Sequence, residues 1–221
     1  MTMTDPSAAT EARTICRATM RSSPATSGLS FGVPTNPEEA EKLVAHAERL
    51  VRAGRMTADY VQDLTRFLGA NSAAWTRTNR ERLRRVLSAL AEGVVDALVA
   101  TMTRLPRTDV LDECELVLRG LPPDAMPDLR RLAQRDERVP LAASVRATLL
   151  RAAARTDGAG SVSTLIAVLN DPEPEVREAA ASLLGEVGGT AGRVALERRL
   201  EREADAAIRA SVLEAIDSLG R

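Results

Sequence analysis

The feature that most constrains the fold of this 221-residue chain is an internal repeat. Four segments begin with a β-branched residue that is followed by apolar or small residues four and eight positions later. These segments start at Val110, Val145, Val176 and Ile208, which are separated by 35, 31 and 32 residues. Spacings of four and eight place the side chains on one face of a helix. A shorter helical pattern precedes each segment, and a period that holds two helices is typical of an α-solenoid.

The composition also favours an all-α fold. Only 2% of the residues are aromatic, so Ala, Leu and Val must supply the core, which argues against β-sandwiches and barrels. The 2 Cys and 1 His exclude a disulfide framework and a Cys/His zinc site. No apolar run reaches the roughly 18 residues of a membrane span. With a net charge of −1, we predict a cytoplasmic protein without a membrane partner.

The chain divides into three predicted regions. Residues 1–36 hold 12 Ser or Thr and show no helical periodicity, so we expect a disordered leader. Helical periodicity begins at Asn36-Pro37, where Asn is a favourable N-cap and Pro suits the first turn. We predict an N-terminal helical part over residues 37–91, either a cap or divergent repeats. Residues 92–221 are predicted to form the repeat solenoid.

The stretch 163–189 resembles a HEAT repeat of the short, bacterial type. The matching elements are a helix ending at Leu169, the turn Asn170-Asp171-Pro172, the pair Val176-Arg177, an Ala-rich helix, and Leu184-Gly185 before a Gly turn. The resemblance is specific over residues 141–221 and weaker over residues 92–140. It implies an armadillo-type α-solenoid of stacked antiparallel helix pairs.

The resemblance also implies a structural role for a set of charged residues. In HEAT proteins, an Asp at the turn and an Arg after the inward Val form a ladder between repeats. The matching residues in this chain are Asp171, Arg146, Arg177 and Arg209. We expect these residues to hold the repeats together.

No catalytic constellation is evident in the sequence. His46 has no catalytic partner nearby, and Cys114 falls at an inward helix position. Asp112, Glu113 and Glu115 point in different directions on a helix, so they form a solvated face and cannot converge on a metal ion. We therefore predict no enzyme activity, no cofactor and no metal.

The sequence favours a non-enzymatic adaptor or scaffold that binds another protein on the concave face of the solenoid. Positions six and ten after Val145, Val176 and Ile208 fall off the core stripe, and we predict that they line this face. The residues are Arg151, Ser182 and Glu214 in one row and Arg155, Glu186 and Ser218 in the other. The rows run from basic to acidic, which suits a protein of opposite polarity better than a uniform phosphate backbone.

Two alternative functions stay open. Short HEAT repeats also resemble those of phycobilin lyases, which implies an accessory lyase-type subunit. A basic segment next to Trp75 suggests contact with nucleic acid without catalysis. Its arginines are Arg77, Arg80, Arg82, Arg84 and Arg85, and only Glu81 opposes them.

A last surface is predicted on the C-terminal helix. Leu213 aligns with Ala181, which should pack against the following repeat. Ala206 and Ala210 extend the same stripe. We expect these three residues, Ala206, Ala210 and Leu213, to form an exposed apolar patch that joins two copies into a homo-oligomer or seats a partner.

Overall fold

The computed structural model describes residues 33–68, 74–90, 93–136 and 140–220, and within them it contains helices and no strand. The helices are α1 (Pro37–Arg52), α2 (Ala58–Leu68), α3 (Arg77–Ser88), α4 (Val94–Arg104), α5 (Thr108–Leu118), α6 (Met126–Ala133), α7 (Ala143–Asp157), α8 (Val162–Val168), α9 (Pro174–Val187), α10 (Gly189–Leu200) and α11 (Ala206–Ser218). Of the predicted leader, residues 1–32 lie outside the described residues. No described helix is long and apolar enough to cross a membrane.

Local sequence signals set several helix starts. Asn36 caps α1 as predicted, because its side-chain oxygen accepts from the N–H of Glu39 at 2.9 Å. The third helix begins at Arg77. Its cap is Thr76, whose hydroxyl accepts from the N–H of Asn79 at 3.2 Å. Short-range hydrogen bonds of this kind satisfy N–H groups that the helix itself leaves free.

The helices pack in two rows. The odd-numbered helices form the odd row, in which each of α1, α3, α5, α7, α9 and α11 contacts the next. In the even row, α2 packs on α4 and α8 packs on α10, while α6 packs mainly on α7. Two helices per repeat, one in each row, make up the stacking of an α-solenoid. The predicted all-α solenoid fold is therefore confirmed.

A continuous apolar core runs through the described residues from Ala40 in α1 to Ala215 in α11. The residues that open the four repeat helices are at most 3% exposed. Those four positions later have no exposed surface: Cys114, Leu149, Ala180 and Val212. The spacing of apolar residues in the sequence thus located the core stripe of α5, α7, α9 and α11 correctly.

Gly185 sets how closely two odd-row helices approach each other. A Cβ atom at this position of α9 would lie 2.9 Å from Cα and 3.0 Å from Cβ of Ala215 in α11. These distances are shorter than normal carbon contacts. The backbones of α9 and α11 therefore pack at a separation that only a glycine permits here.

Candidate interaction surface

A ladder of buried ion pairs joins the repeats at the N-terminal ends of α7 and α9. Arg146 of α7 donates to both carboxylate oxygens of Asp171, which lies in the turn before α9, and both side chains are 4% exposed. Arg177 of α9 makes the equivalent pair with Glu203, before α11, at 3.0 and 3.3 Å. Arg177 reaches Asp171 only through its backbone carbonyl, at 3.0 Å. Each arginine therefore binds the acid of the repeat that follows its own.

Glu203 is a ladder residue that the sequence reasoning missed. It stands 32 residues after Asp171, one repeat period. The Asp171 carboxylate accepts from the N–H of Glu173 at 3.0 Å, and the Glu203 carboxylate accepts from the N–H of Asp205 at 3.1 Å. In both cases the donor stands two positions after the acid. Glu203 also accepts from Arg199 of α10 at 3.0 Å. The period of the repeat was the signal that could have identified it.

The ladder arginines change how the two carboxyls titrate. Burial by itself raises the pKa of a carboxyl group, because it disfavours the charged form. In both residues burial is the largest cause, but the hydrogen bonds from arginine and from a backbone N–H, together with the nearby arginine charge, outweigh it. The pKa of Asp171 lies below its ordinary value of 3.8, and the pKa of Glu203 falls from 4.5 to about 2. Both groups are therefore ionised at neutral pH.

Arg209 of α11 is the last arginine of the ladder. Its Nη1 donates to the backbone carbonyl of Glu203 at 3.1 Å and also to that of Leu200. Arg177 binds the carbonyls of Asp171 and Pro172 in the same way. Within the described ranges, Arg209 has no carboxylate partner for its Nε and Nη2 groups. Arg209 therefore makes the backbone contacts of a ladder arginine but, among the described residues, not the ion pair.

The odd-row helices share a solvent-facing surface, which includes the positions six and ten residues after Val145, Val176 and Ile208. We call it the odd-row face. All six residues predicted for the binding surface are exposed or half-buried there. The odd-row face is defined by Arg84, Arg85, Leu116, Arg119, Arg151, Arg155, Glu178, Ser182, Glu186, Glu214 and Ser218.

Ion pairs cross the middle of the odd-row face. Glu115 of α5 is 6% exposed and accepts from Arg151 and Arg155 of α7, both at 2.9 Å. Arg155 also lies 3.7 Å from Glu186 of α9. The fold thus brings Arg155 and Glu186 together. The expectation that Glu115 belongs to a solvated face was wrong, because α7 covers it with two arginines.

The charge on the odd-row face changes sign along the row. Arg85, Arg119 and Arg155 are exposed on α3, after α5 and on α7. Exposed carboxylates replace them on α9 and α11: Glu178, Glu186 and Glu214. The hydroxyl of Ser211 on α11 lies 3.4 Å from the Glu178 carboxylate and links the two helices. The surface therefore runs from basic to acidic.

The basic segment around α3 is largely neutralised by carboxylates of neighbouring helices. Arg82 pairs with Glu48 of α1 at 2.8 Å and with Glu41 of the same helix. Glu113 of α5 binds both Arg80, at 3.3 Å, and Arg84, at 2.7 Å. The Arg82 guanidinium holds the pKa of Glu48 below its ordinary value of 4.5.

Two arginines of the basic segment remain on the surface of α3. Arg77 pairs with Glu81 of its own helix at 2.9 Å. Arg85 is exposed and donates to the backbone carbonyl of Glu81 at 3.4 Å. Most of the positive charge in this segment thus connects α1, α3 and α5 and does not face solvent as a free patch.

Two grooves lie along the odd-row face. One, of about 620 Å³, opens between α3 and α5, and its lining includes Arg84, Arg85, Ser88, Leu116 and Gly120. Leu116 is 42% exposed and forms an apolar wall of this groove. The other, of about 710 Å³, lies at the C-terminal ends of α5, α7 and α9. Its lining includes Arg119, Arg155, Thr156, Asp157 and Glu186.

The patch predicted on α11 is exposed. Leu213 is 49% exposed, and Ala206 and Ala210 are also exposed. The residues at the position equivalent to Leu213 are Leu150 in α7 and Ala181 in α9, which are 1% and 0% exposed. Each of these helices is covered by the next odd-row helix.

The other chemically suggestive residues occupy structural positions. The ring of His46 makes an edge-to-face contact with Tyr60, with centroids 5.9 Å apart. Cys114 is fully buried, and burial raises the pKa of its thiol to about 12, so it does not form a reactive thiolate at neutral pH. Across the described ranges, no group of three His, Cys, Asp or Glu residues could hold a metal ion.

Comparison with known proteins identifies the part of the chain that carries the ladder. The family model for HEAT repeats matches residues 141–217. These residues are therefore similar to HEAT repeats, and we call them the HEAT part. The match confirms the resemblance noted in the sequence, and it spans both complete rungs of the ladder.

The whole chain gives fainter similarities. One solved structure to which it is similar is a designed armadillo repeat protein in complex with the peptide (KR)4. The two chains are 15% identical, with 82% of this chain and 92% of that chain covered, at a TM-score of 0.34. No curated protein matches the chain.

Proposed function

We propose that this protein is a non-enzymatic interaction module that binds a polypeptide partner along the odd-row face, used as the concave face of the solenoid. The observation that carries the proposal is the face itself. Within the described residues it stays open to solvent from α3 to α11, while buried ion pairs fix the helices beneath it. A surface that is rigid before binding loses little conformational entropy when a partner docks.

The charges on the odd-row face define the chemistry of the partner. The carboxylates of α9 and α11 suit Lys and Arg side chains, and the exposed arginines around α5 suit Asp and Glu. The groove beside Leu116 suits one apolar side chain. Packed helices lie about 8–10 Å apart, so α11 is about 30 Å from α5. An extended peptide covers that distance in about nine residues.

The two alternatives have weaker support. Binding of nucleic acid requires Lys or Arg side chains that are free to contact phosphates. Arg80, Arg82 and Arg84 are instead paired with carboxylates. The accessory lyase-type function has no contact or cavity in its favour among the residues described. A protein partner fits the mixed charge of the face best.

A labelled peptide tests this function directly. The probe has two Glu, then a Leu, then a polar spacer and Lys residues placed about six to nine positions after the Leu. We expect it to bind the full chain in fluorescence anisotropy, and to bind at least about tenfold more tightly than a scrambled peptide of the same composition. Equal binding of the two peptides would overturn the proposed function.

Charge variants locate the binding surface. The double variant Glu178→Lys with Glu214→Lys reverses two of the three carboxylates in the acidic half of the odd-row face, while the third, Glu186, lies beside Arg155. This variant should abolish the preference for the ordered probe. Glu201→Lys makes the same kind of charge change at an exposed residue outside the face and is the matched control. The double variant reverses two charges and the control reverses one. If each reversed charge weakens peptide binding equally in both, the peptide does not bind on the odd-row face.

A further inference from the structure

The outer edge of α11 differs from the equivalent edges of the other HEAT helices. In α7 and α9 the next odd-row helix covers this edge, and Leu150 and Ala181 are buried there. In α11 the edge carries Ala206, Ala210 and Leu213 in the open, and Leu213 is 49% exposed. The edge thus has the apolar character of an interface between stacked helices.

The charged residues on the same edge also lack the contacts that their equivalents make. Arg209 keeps its Nε and Nη2 donors without a carboxylate partner in the described part of the chain, unlike Arg146 and Arg177. Asp217 is exposed, and within that part no ion pair engages its carboxylate. An arginine and a carboxylate therefore flank the exposed leucine, and both can accept a partner.

The spacing of these three residues is symmetric. Arg209 is four residues before Leu213 and Asp217 is four residues after it. At a rise of about 1.5 Å per residue, each charge lies about 6 Å from the leucine along the axis, on opposite sides of it. A second α11 that is turned end over end about Leu213 places its Asp217 opposite Arg209, and its Arg209 opposite Asp217.

We propose that this edge binds a second copy of the chain, with α11 packed antiparallel to α11 about a two-fold axis through Leu213. The two leucines meet on the axis, and two equivalent Arg209–Asp217 pairs form on either side of it. An interface related by a two-fold axis is self-complementary and closes as a dimer. None of the residues that form this edge is among those that define the odd-row face, so the proposed dimer does not rest on the proposed peptide binding.

Sedimentation equilibrium of the full chain tests the dimer over about 1–100 μM, a range suited to a small interface. We expect wild type to approach twice the single-chain mass of 23.7 kDa. Leu213→Glu should raise the dimer dissociation constant at least about tenfold, because it places two carboxylates face to face on the axis. Val194→Glu, at a residue of α10 with 40% exposure, is the matched control and should not change the mass.

A charge swap tests the antiparallel register. Arg209→Asp alone and Asp217→Arg alone each place like charges opposite one another and should weaken the dimer. The double variant R209D/D217R restores both pairs and should recover most of the wild-type association, while circular dichroism checks that every variant is folded. A wild type that stays at 23.7 kDa over the whole range, or an L213E variant that dimerises like V194E, would overturn the proposal. A charge swap that fails to recover association would overturn the two-fold axis.

Discussion

Hydrogen bonds from several helices meet at Glu203. Its carboxylate is 2% exposed and accepts from Arg177 of α9 and Arg199 of α10, while its backbone carbonyl accepts from Arg209 of α11. It therefore joins three helices. Removing one partner of a buried ion pair leaves the other charges without compensation, which costs far more than losing a surface pair.

We expect Glu203→Gln to lower the free energy of unfolding by about 3 kcal/mol at pH 7, because the two arginines lose a buried counter-charge. Glu201→Gln, at an exposed neighbour, is the control and should change it by less than about 0.5 kcal/mol. Urea unfolding followed by circular dichroism measures both. Equal stability of the two variants would show that the rung contributes little.

The same residue predicts a pH dependence. Folding lowers the pKa of Glu203 from 4.5 to about 2, so its contribution to stability is fully present above pH 4.5 and is lost as the pH falls towards 2. The stability difference between wild type and E203Q should therefore shrink through this window. A difference that stays constant between pH 5 and pH 2.5 would contradict the shifted pKa.

At the scale of elements, Gly185 allows α9 and α11 to approach each other closely. Alanine there would gain about 1 kcal/mol of helix propensity, but its Cβ would lie 2.9 Å from the Ala215 backbone. Overpacking against a backbone costs about 1–3 kcal/mol. The steric term should win because a backbone atom cannot rotate away.

We therefore expect Gly185→Ala to lower the melting temperature. Gly192→Ala in α10 is the matched comparison, since its Cβ would have only ordinary contacts of 3.4 Å or more with Leu184. That variant should leave the melting temperature unchanged or raise it. If both alanines stabilise the protein, the separation of α9 and α11 is not limited by Gly185.

The start of α1 is a second prediction at this scale. Removing residues 1–32 should leave the melting temperature unchanged, in line with the predicted leader. Removing residues 1–36 deletes the Asn36 cap and the buried Pro34 as well, and loss of such a cap costs about 1 kcal/mol. Differential scanning fluorimetry of the two truncations separates these effects. A large loss on removing residues 1–32 alone would mean that the leader packs on the helices.

At the scale of the whole molecule, the apolar core runs without interruption from α1 to α11 in the described residues. Ion pairs of Arg82 with α1 and of Arg84 with α5 join the first helices of the odd row to the rest. Cooperative unfolding depends on such interfaces between neighbouring helices, because each repeat contacts only its neighbours. The N-terminal helices and the HEAT repeats should therefore unfold together.

Trp75 lies just before α3 and is 7% exposed. It is the single tryptophan of the chain, so tryptophan fluorescence reports on the N-terminal helices. We expect thermal unfolding followed by its fluorescence to coincide with that followed by circular dichroism, which reports all helices. Midpoints that agree within error would fit one cooperative unit. A clearly earlier fluorescence transition would make residues 37–91 a separate domain.

Much of the fold follows from the sequence alone, because it depends on short-range periodicity. Spacings of four and eight residues placed Val145, Leu149 and Ala153 on one buried stripe, and a period of 31–35 residues indicated stacked helix pairs. Capping at Asn36 was equally visible, because the accepting side chain of Asn36 and the N–H of Glu39 that donates to it are three residues apart. The buried stripe and the cap are each decided within one helix or one turn, and the period repeats that local pattern along the chain.

The partners of the charged residues were decided only by the tertiary structure. Outside the ladder, Arg84 meets Glu113 and Arg151 meets Glu115, across 29 and 36 residues of chain. No local pattern ranks one carboxylate above another at such separations, so the basic segment looked free and Glu115 looked solvated. The physical reason is that burial and pairing depend on which helices the core brings together, whereas the helix itself depends on neighbours within one or two turns.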